Sequence, residues 1–307
     1  MQLTKTDIIL VHHDLGASVQ GASKGPQLLY DHIKNDLFAE NFLHNIHQTA
    51  SFKNPTNFKH AKRIDHIAKT MFELSETVKA TLQRSGHCFV LSGDHSTAAG
   101  TVAGIKKAYP EKRIGVVWFD AHADIHSPHT TPSGNLHGMP LAIITDQDNT
   151  LHRTNEISEA EHTAWEELQS LSVITPAALP RDVAFVGIRD LESPEQKLVN
   201  LQGSLNLFAN EMETLSAQSL YEKITHHLKD CDFIYISFDI DCLDSDLVPG
   251  TGTPVNNGPN FEKIKKLLQL LRQNPKVICI EVSEYNPDLD RDNQALHTTL
   301  DVIKSIF

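Results

Sequence analysis

The chain has 307 residues, of which 40% are hydrophobic, enough for a sizeable packed core and too many for a disordered chain. Its 39 acidic and 27 basic residues leave a net charge of −12, which argues against a nucleic-acid or anionic-membrane surface. The first apolar run is too short for a signal or membrane-spanning segment, and none of the four cysteines forms a C-x-x-C pair. A cytoplasmic protein with reduced, buried thiols is therefore expected.

Continuous runs rich in branched residues predict strands at Ile8–Val11, Cys88–Leu91, Ile114–Phe119, Val183–Val186, Phe233–Phe238 and Val277–Ile280, with weaker ones at Phe42–His47 and Leu205–Phe208. They do not alternate apolar with polar, as expected of strands covered on both faces. Between them, Ile64–Ser85 places Ile67, Met71, Leu74 and Val78 on one helical stripe. Ser216–Leu228 and Asn260–Arg272 behave alike, and Glu156–Leu171 reads as an acidic amphipathic helix carrying Trp165 and Leu168. Asp124–Asn135 is a polar loop with two prolines, long enough to be functional. The alternation predicts one α/β domain over 1–307, a three-layer sandwich around a mostly parallel sheet of about eight strands.

Four segments concentrate metal-ligand residue types. They are Gly93-Asp94-His95-Ser96, Asp120-Ala121-His122-Ala123-Asp124, Ser133-Gly134-Asn135-Leu136-His137-Gly138 and Asp239-Ile240-Asp241. Three of them follow a predicted strand, and ligands of open parallel sheets bind beyond the strands' carboxyl ends. Period-two spacing in an extended backbone would point Asp120, His122 and Asp124 the same way. Two carboxylates about 4 Å apart repel by roughly 4 kcal/mol at an effective dielectric of ~20, so Asp120, Asp124, Asp239 and Asp241 together call for cations. Carboxylate and imidazole without thiolate favour manganese-like ions over structural zinc. Water activated between two such ions makes hydrolysis the natural chemistry.

These motifs are similar to those of a known family. GDHS at 93–96, DAHAD at 120–124, TTPSGNLHGMP at 130–140, SFDIDCLD at 237–244, TGTP at 251–254 and E-x-N-P at 284–287 resemble the arginases of the ureohydrolase superfamily. The resemblance implies two Mn²⁺ per subunit, with Co²⁺ compatible with the same ligands. It makes His95, Asp120, Asp124 and Asp239 ligands of one ion, and His122, Asp120, Asp239 and Asp241 ligands of the other. Asp124 would also hold the bridging hydroxide, His137 would carry a proton to the leaving amine, and Glu284 would hold the guanidinium. Thr253 would place a hydroxyl in the pocket. Ser133, Asn135 and Thr131 would bind the substrate α-carboxylate, and Asp190, Glu192 and Glu195 would face the α-amino group. Two positions depart from the usual pattern: His126 stands where Asn is common, and Glu192 where Asp is common. The segment Glu156–Leu171 resembles an insertion of some bacterial arginases.

The implied activity is hydrolysis of L-arginine to L-ornithine and urea, in a homo-oligomer that relatives build as trimers or hexamers. Agmatinases are the first alternative, but they lack the S-G-N-L-H-G loop because their substrate has no carboxylate. Another guanidino acid as substrate remains open. Formiminoglutamases usually replace the aspartate retained here as Asp94. A metallophosphoesterase would need a later G-N-H motif, which does not occur. A metal-binding sensor without catalysis has no use for His137 and Glu284.

Overall fold

The structure is a computed structural model describing residues 7–37 and 42–307. The strands are β1 (Asp7–His12), β2 (Leu43–His47), β3 (Cys88–Ser92), β4 (Ile114–Phe119), β5 (Val183–Val186), β6 (Leu205–Leu207), β7 (Phe233–Asp239) and β8 (Val277–Ser283). The helices are α1 (Gly25–Leu37), α2 (Ile64–Ser85), α3 (Thr97–Ala108), α4 (Pro140–Thr145), α5 (Glu159–Gln169), α6 (Ser193–Leu201), α7 (Ala209–Met212), α8 (Ala217–His227), α9 (Phe261–Arg272) and α10 (Gln294–Ile306).

All eight strands form one parallel sheet in the order β2-β1-β3-β8-β7-β4-β5-β6. The expected two-sided burial is visible in β4. Val116 and Trp118 enter the core shared with α2, α3 and α5, while Val117 and Phe119 enter the opposite core, shared with α1, α8, α9 and α10. Alternate side chains of one apolar run thus serve two helical layers. The four strands at the centre of the sheet, β3, β8, β7 and β4, are those whose carboxyl ends carry GDHS, Glu284, DID and DAHAD.

The helices expected at 64–85, 216–228 and 260–272 form within a residue of their predicted ends; side-chain caps fix the starts of the last two, and left-handed Gly86 closes the end of the first. Ser216 accepts from Ser219 N, and Asn260 accepts from Lys263 N. Helices α1, α3 and α10 lie outside the predicted elements, although α10 carries an apolar stripe of Leu296, Leu300 and Ile303. Every residue of α3 from Thr97 to Lys106 is buried, so it has no polar face to set a stripe. The 156–171 helix is shorter than expected, at Glu159–Gln169, because Ser158 and Glu161 close a reciprocal capping box that delays its start. Its Trp165 and Leu168 belong to the main core, and α5 packs on α2 and α4. All four cysteines are buried and free. No helix among the described residues is long and apolar enough to cross a membrane.

Candidate metal centre and active site

The sheet ends do not simply extend their strands. Strand β4 stops at Phe119, and the following DAHAD segment turns. Asp124 takes φ 48°, in the left-handed region, rather than the extended conformation that period-two spacing implies. Asp241 is turned likewise. Asp239 ends β7, and its Oδ1 accepts from Asp241 N at 2.8 Å across the 3₁₀ turn Ile240–Cys242. Convergence of these carboxylates comes from turns, not from alternation along a strand.

Two groups of side chains result. His95 Nδ1 lies 3.0 Å from Asp120 Oδ2, 3.0 Å from Asp124 Oδ2 and 3.1 Å from Asp239 Oδ2. His122 Nδ1 lies 3.3 Å from Asp120 Oδ1 and 3.1 Å from Asp241 Oδ2. Asp120 belongs to both groups, one oxygen to each. Asp239 belongs to the first, its other oxygen being given to the Asp241 backbone.

A chain of buried groups fixes the His95 ring. Its Nε2 is 2.7 Å from Ser237 Oγ, Ser237 Oγ is 3.2 Å from Tyr235 Oη, and Tyr235 donates to Glu281 Oε2 at 2.8 Å. Thr97 donates to the other Glu281 oxygen at 2.7 Å. With the Tyr235 proton committed to Glu281, Ser237 gives its own proton to Tyr235 and accepts from His95 Nε2–H. The Nδ1 lone pair is then left facing three carboxylate oxygens, with no hydrogen-bond partner. Trp118 stacks on the same ring at 4.1 Å and donates to Asp120 Oδ2 at 3.1 Å. Against the cost of burial, the three carboxylates raise the pKa of this ring well above its ordinary value, so the space around Nδ1 selects positive charge, a proton or a metal ion.

Charge balance agrees. Burial, and then the charge of Asp120, push Asp124 up to about 7. Burial with Asp241 and Asp120 likewise holds Asp239 well above the usual carboxylate range. These acids reach full ionisation only beside added positive charge.

A cavity of about 370 Å³ opens over the two groups, lined by His122, Asp124, Asp239, Asp241 and Thr253 below and by the 126–138 loop and Asp190, Glu192 and Glu195 around its mouth. Thr253 donates to Asp241 Oδ2 at 2.9 Å. His137 lines the wall, with Nδ1 3.2 Å from Glu284 Oε1, which also accepts from His95 N at 2.8 Å. Burial opposes charge on His137, but the Glu284 contact and nearby carboxylates outweigh it and raise its pKa to about 9. Glu284 is buried behind His137 with φ 68° and does not line the cavity itself; His95 and Asp120 are also too deep to do so.

The mouth is built from long-range hydrogen bonds. Gly134 takes φ +77°, and a Cβ there would stand 2.2 Å from Lys59 O, so this turn of the loop requires glycine. Its carbonyl accepts from Lys62 N at 2.8 Å, while Glu161 of α5 accepts from His60 N at 2.7 Å. Helix α5 thus braces the segment that holds the loop. Thr131 Oγ1 accepts from Ser133 N and Gly134 N, and Ser133 Oγ accepts from Asn135 N. Across the mouth, His126 Nε2 lies 3.0 Å from Glu192 Oε2 and 3.4 Å from Glu195 Oε2, and its Nδ1 is 3.0 Å from Thr130 Oγ1. Burial works against protonation of His126, yet the two glutamates raise its pKa to about 9, and His126 in turn lowers Glu192 to about 2.

All residues singled out from the sequence thus gather at one end of the sheet. Sequence reading missed the Ser237–Tyr235–Glu281 chain and the Glu284–His137 and His126–Glu192 contacts. Tyr235 reads as a strand residue in an apolar run. Glu281 lies one residue beyond the strand predicted at Val277–Ile280, which in the structure runs on to Ser283; a lone Glu closing that apolar run was the available signal.

The profile of the arginase family matches residues 5–307. The chain belongs to the arginase family. The arginase of Entamoeba histolytica is 29% identical to it over 317 residues, covering 100% of this chain and 99% of that one. The arginase of Bacillus caldovelox is 31% identical over 80% of this chain and 77% of that one. Among solved structures, the Entamoeba histolytica arginase in complex with L-ornithine superposes with a TM-score of 0.85 at 28% identity, covering 100% of this chain and 98% of that one. Formimidoylglutamase from Bacillus subtilis, at 18% identity over 99% of this chain and 86% of that one, shares the fold with a TM-score of 0.75.

Proposed function

We propose that this arginase-family chain hydrolyses L-arginine to L-ornithine and urea at a two-metal centre. The observation that carries the reading is Asp120, whose two oxygens join two His/Asp groups beneath a cavity walled by His137. His95, Asp120, Asp124 and Asp239 would hold one divalent cation, and His122, Asp120, Asp239 and Asp241 the other, with Mn²⁺ the expected ion and Co²⁺ compatible. Two bound divalent cations supply Lewis acidity and bring the pKa of a water close to neutrality, so no Ser, Cys or Lys nucleophile is required.

The chain's own residues complete the reaction. Asp124, at the cavity floor, accepts a hydrogen bond from the attacking water and orients it toward the guanidinium carbon. As the bond from that carbon to the substrate's chain nitrogen breaks, His137 delivers a proton to the leaving amine. Glu284 holds His137 in place at 3.2 Å, and its charge favours the protonated ring that delivers the proton. Thr253 keeps Asp241 turned toward the floor. At the mouth, Thr131, Ser133 and Asn135 receive the α-carboxylate, with His126, Asp190, Glu192 and Glu195 on the α-amino side. These groups sit on strand ends and on the loops and helix start beyond them, at one end of a single sheet, which supports reading the chain as a single catalytic domain. A cytoplasmic homo-oligomer, trimer or hexamer, completes the proposal.

The test is urea release from L-arginine and agmatine with Mn²⁺ and Co²⁺ in turn. Arginine should lead in kcat/KM by ~10²-fold or more, because agmatine leaves the loop's polar groups unpaired. Comparable values would instead mark an agmatinase, and no urea from either would mark a metal-binding protein without this activity.

A further inference from the structure

We propose that the mouth of this pocket reads the substrate's carboxylate and scarcely reads its α-amino group, so that ω-guanidino carboxylates without an α-amino group are substrates beside L-arginine; this deepens the reading above and rests on it. Three carboxylates face the amino side, and two of them are already engaged by the protein's own N–H groups. Glu195 Oε1 accepts from Ile125 N at 3.4 Å, its Oε2 accepts from Glu192 N at 3.2 Å, and the same oxygen lies 3.4 Å from His126 Nε2. The Glu192 carboxylate accepts from Glu195 N in the reciprocal capping box that opens α6, and its Oε2 is 3.0 Å from His126 Nε2.

His126 is not free to swing aside for an incoming ammonium. It is buried, and its Nδ1 is tied to Thr130 Oγ1, which also accepts from Ser127 N at 3.1 Å. An α-ammonium would have to displace a seated ring or share its acceptors. That leaves Asp190, whose side chain is 68% exposed and therefore sits in water, where a single ion pair adds a few-fold to affinity at most.

The carboxylate side is arranged differently. Ser133 Oγ accepts from Asn135 N and keeps its own proton to give, and the loop carrying both is pinned through Gly134. Ser133 is itself exposed, so a substrate without the carboxylate leaves its hydroxyl to water and strands chiefly the buried Asn135. A substrate without the α-amino group strands nothing, because His126 already fills that place. Sites whose buried polar groups wait for a substrate group reject the analogue lacking it by orders of magnitude, and this side of the mouth holds no such waiting pair.

The measurement is kcat/KM for urea release from L-arginine and from 5-guanidinopentanoate, which is arginine without its α-amino group, using the manganese-loaded protein. The expected ratio is below ~30, and His126→Asn, which releases Glu192 and Glu195 to an ammonium, should raise it by ~10-fold or more through a lower KM for arginine. Inhibition of the unaltered protein by L-ornithine and by 5-aminopentanoate gives the same comparison should the variant fail to fold, with inhibition constants expected within ~30-fold. A larger ratio in the unaltered protein, or a ratio unmoved by His126→Asn, would overturn the inference alone. Urea from neither compound would overturn the arginine-hydrolysis reading, and this inference with it.

Discussion

At the floor of the pocket, His95, Asp120 and Asp241 are fully buried and Asp239 is 3% exposed. At its mouth, the side chains of Asp190 and Glu192 are 68% and 54% exposed. The floor is anchored by the four central strands of the sheet and by a buried chain of hydrogen bonds behind His95. The mouth is anchored by loops, a helix cap and an ion pair. Where acids are dry and close together, their charge has to be offset, by proton uptake or by a cation between them. Where they are wet, a neighbouring histidine can satisfy them instead. The floor therefore commits the molecule to a reaction class, while the mouth is free to set which guanidino acid enters.

The comparison is broken most severely at Asp120, whose two oxygens join the two groups. Asp120→Ala should lower urea release by ~10³-fold or more and leave fewer than two metal equivalents by elemental analysis; two full equivalents in that variant would remove Asp120 from the centre. Next is His137→Asn. The loss of proton delivery should lower kcat by ~10²–10⁴-fold with metal content unchanged, and equal loss of both would make His137 a ligand rather than a shuttle.

A subtler change tests the support beneath the floor. Ser237→Ala removes the acceptor of His95 Nε2–H, and should weaken metal binding by ~10–100-fold in a direct titration, without a comparable change in the arginine-to-agmatine preference. The smallest effect belongs to the far support of the mouth. Glu161 is lowered below the usual carboxylate range because, against the cost of burial, it accepts from the backbones of His60 and Ser158. Glu161→Ala should cost about 1–2 kcal/mol, roughly 1.5–3 °C in melting temperature for a chain of this length. A depressed folded pKa contributes stability that is complete above the unfolded value of about 4.5 and disappears as pH falls through the folded one. The gap between Glu161→Ala and the unaltered protein should thus be flat above pH ~4.5 and close below it in thermal melts. A gap that widens on acidification would reverse the sign assigned to Glu161.

Much of this was legible from the chain alone, for identifiable reasons. Apolar runs such as Ile114–Phe119 are continuous because both sheet faces are covered, and DAHAD and DID follow such runs directly. Helices with one wet face, such as α9, announce themselves by their stripe. A helix buried on all sides, such as α3, has no stripe to read. The turn at Asp124 was misjudged as extended because a left-handed aspartate is a local cost of about 1–3 kcal/mol that only surrounding structure sustains.

Composition and spacing by themselves determined the layered α/β class and the set of donors, because strand burial and ligand chemistry are properties of residue type. Tertiary structure alone decided who touches whom behind and above those donors: that Ser237, Tyr235 and Glu281 aim His95, and that His126 meets Glu192 across 66 positions of sequence. Those pairings join residues from different strands and loops. No local pattern records them, because the distances involved exist only once the parallel sheet has set its strands side by side.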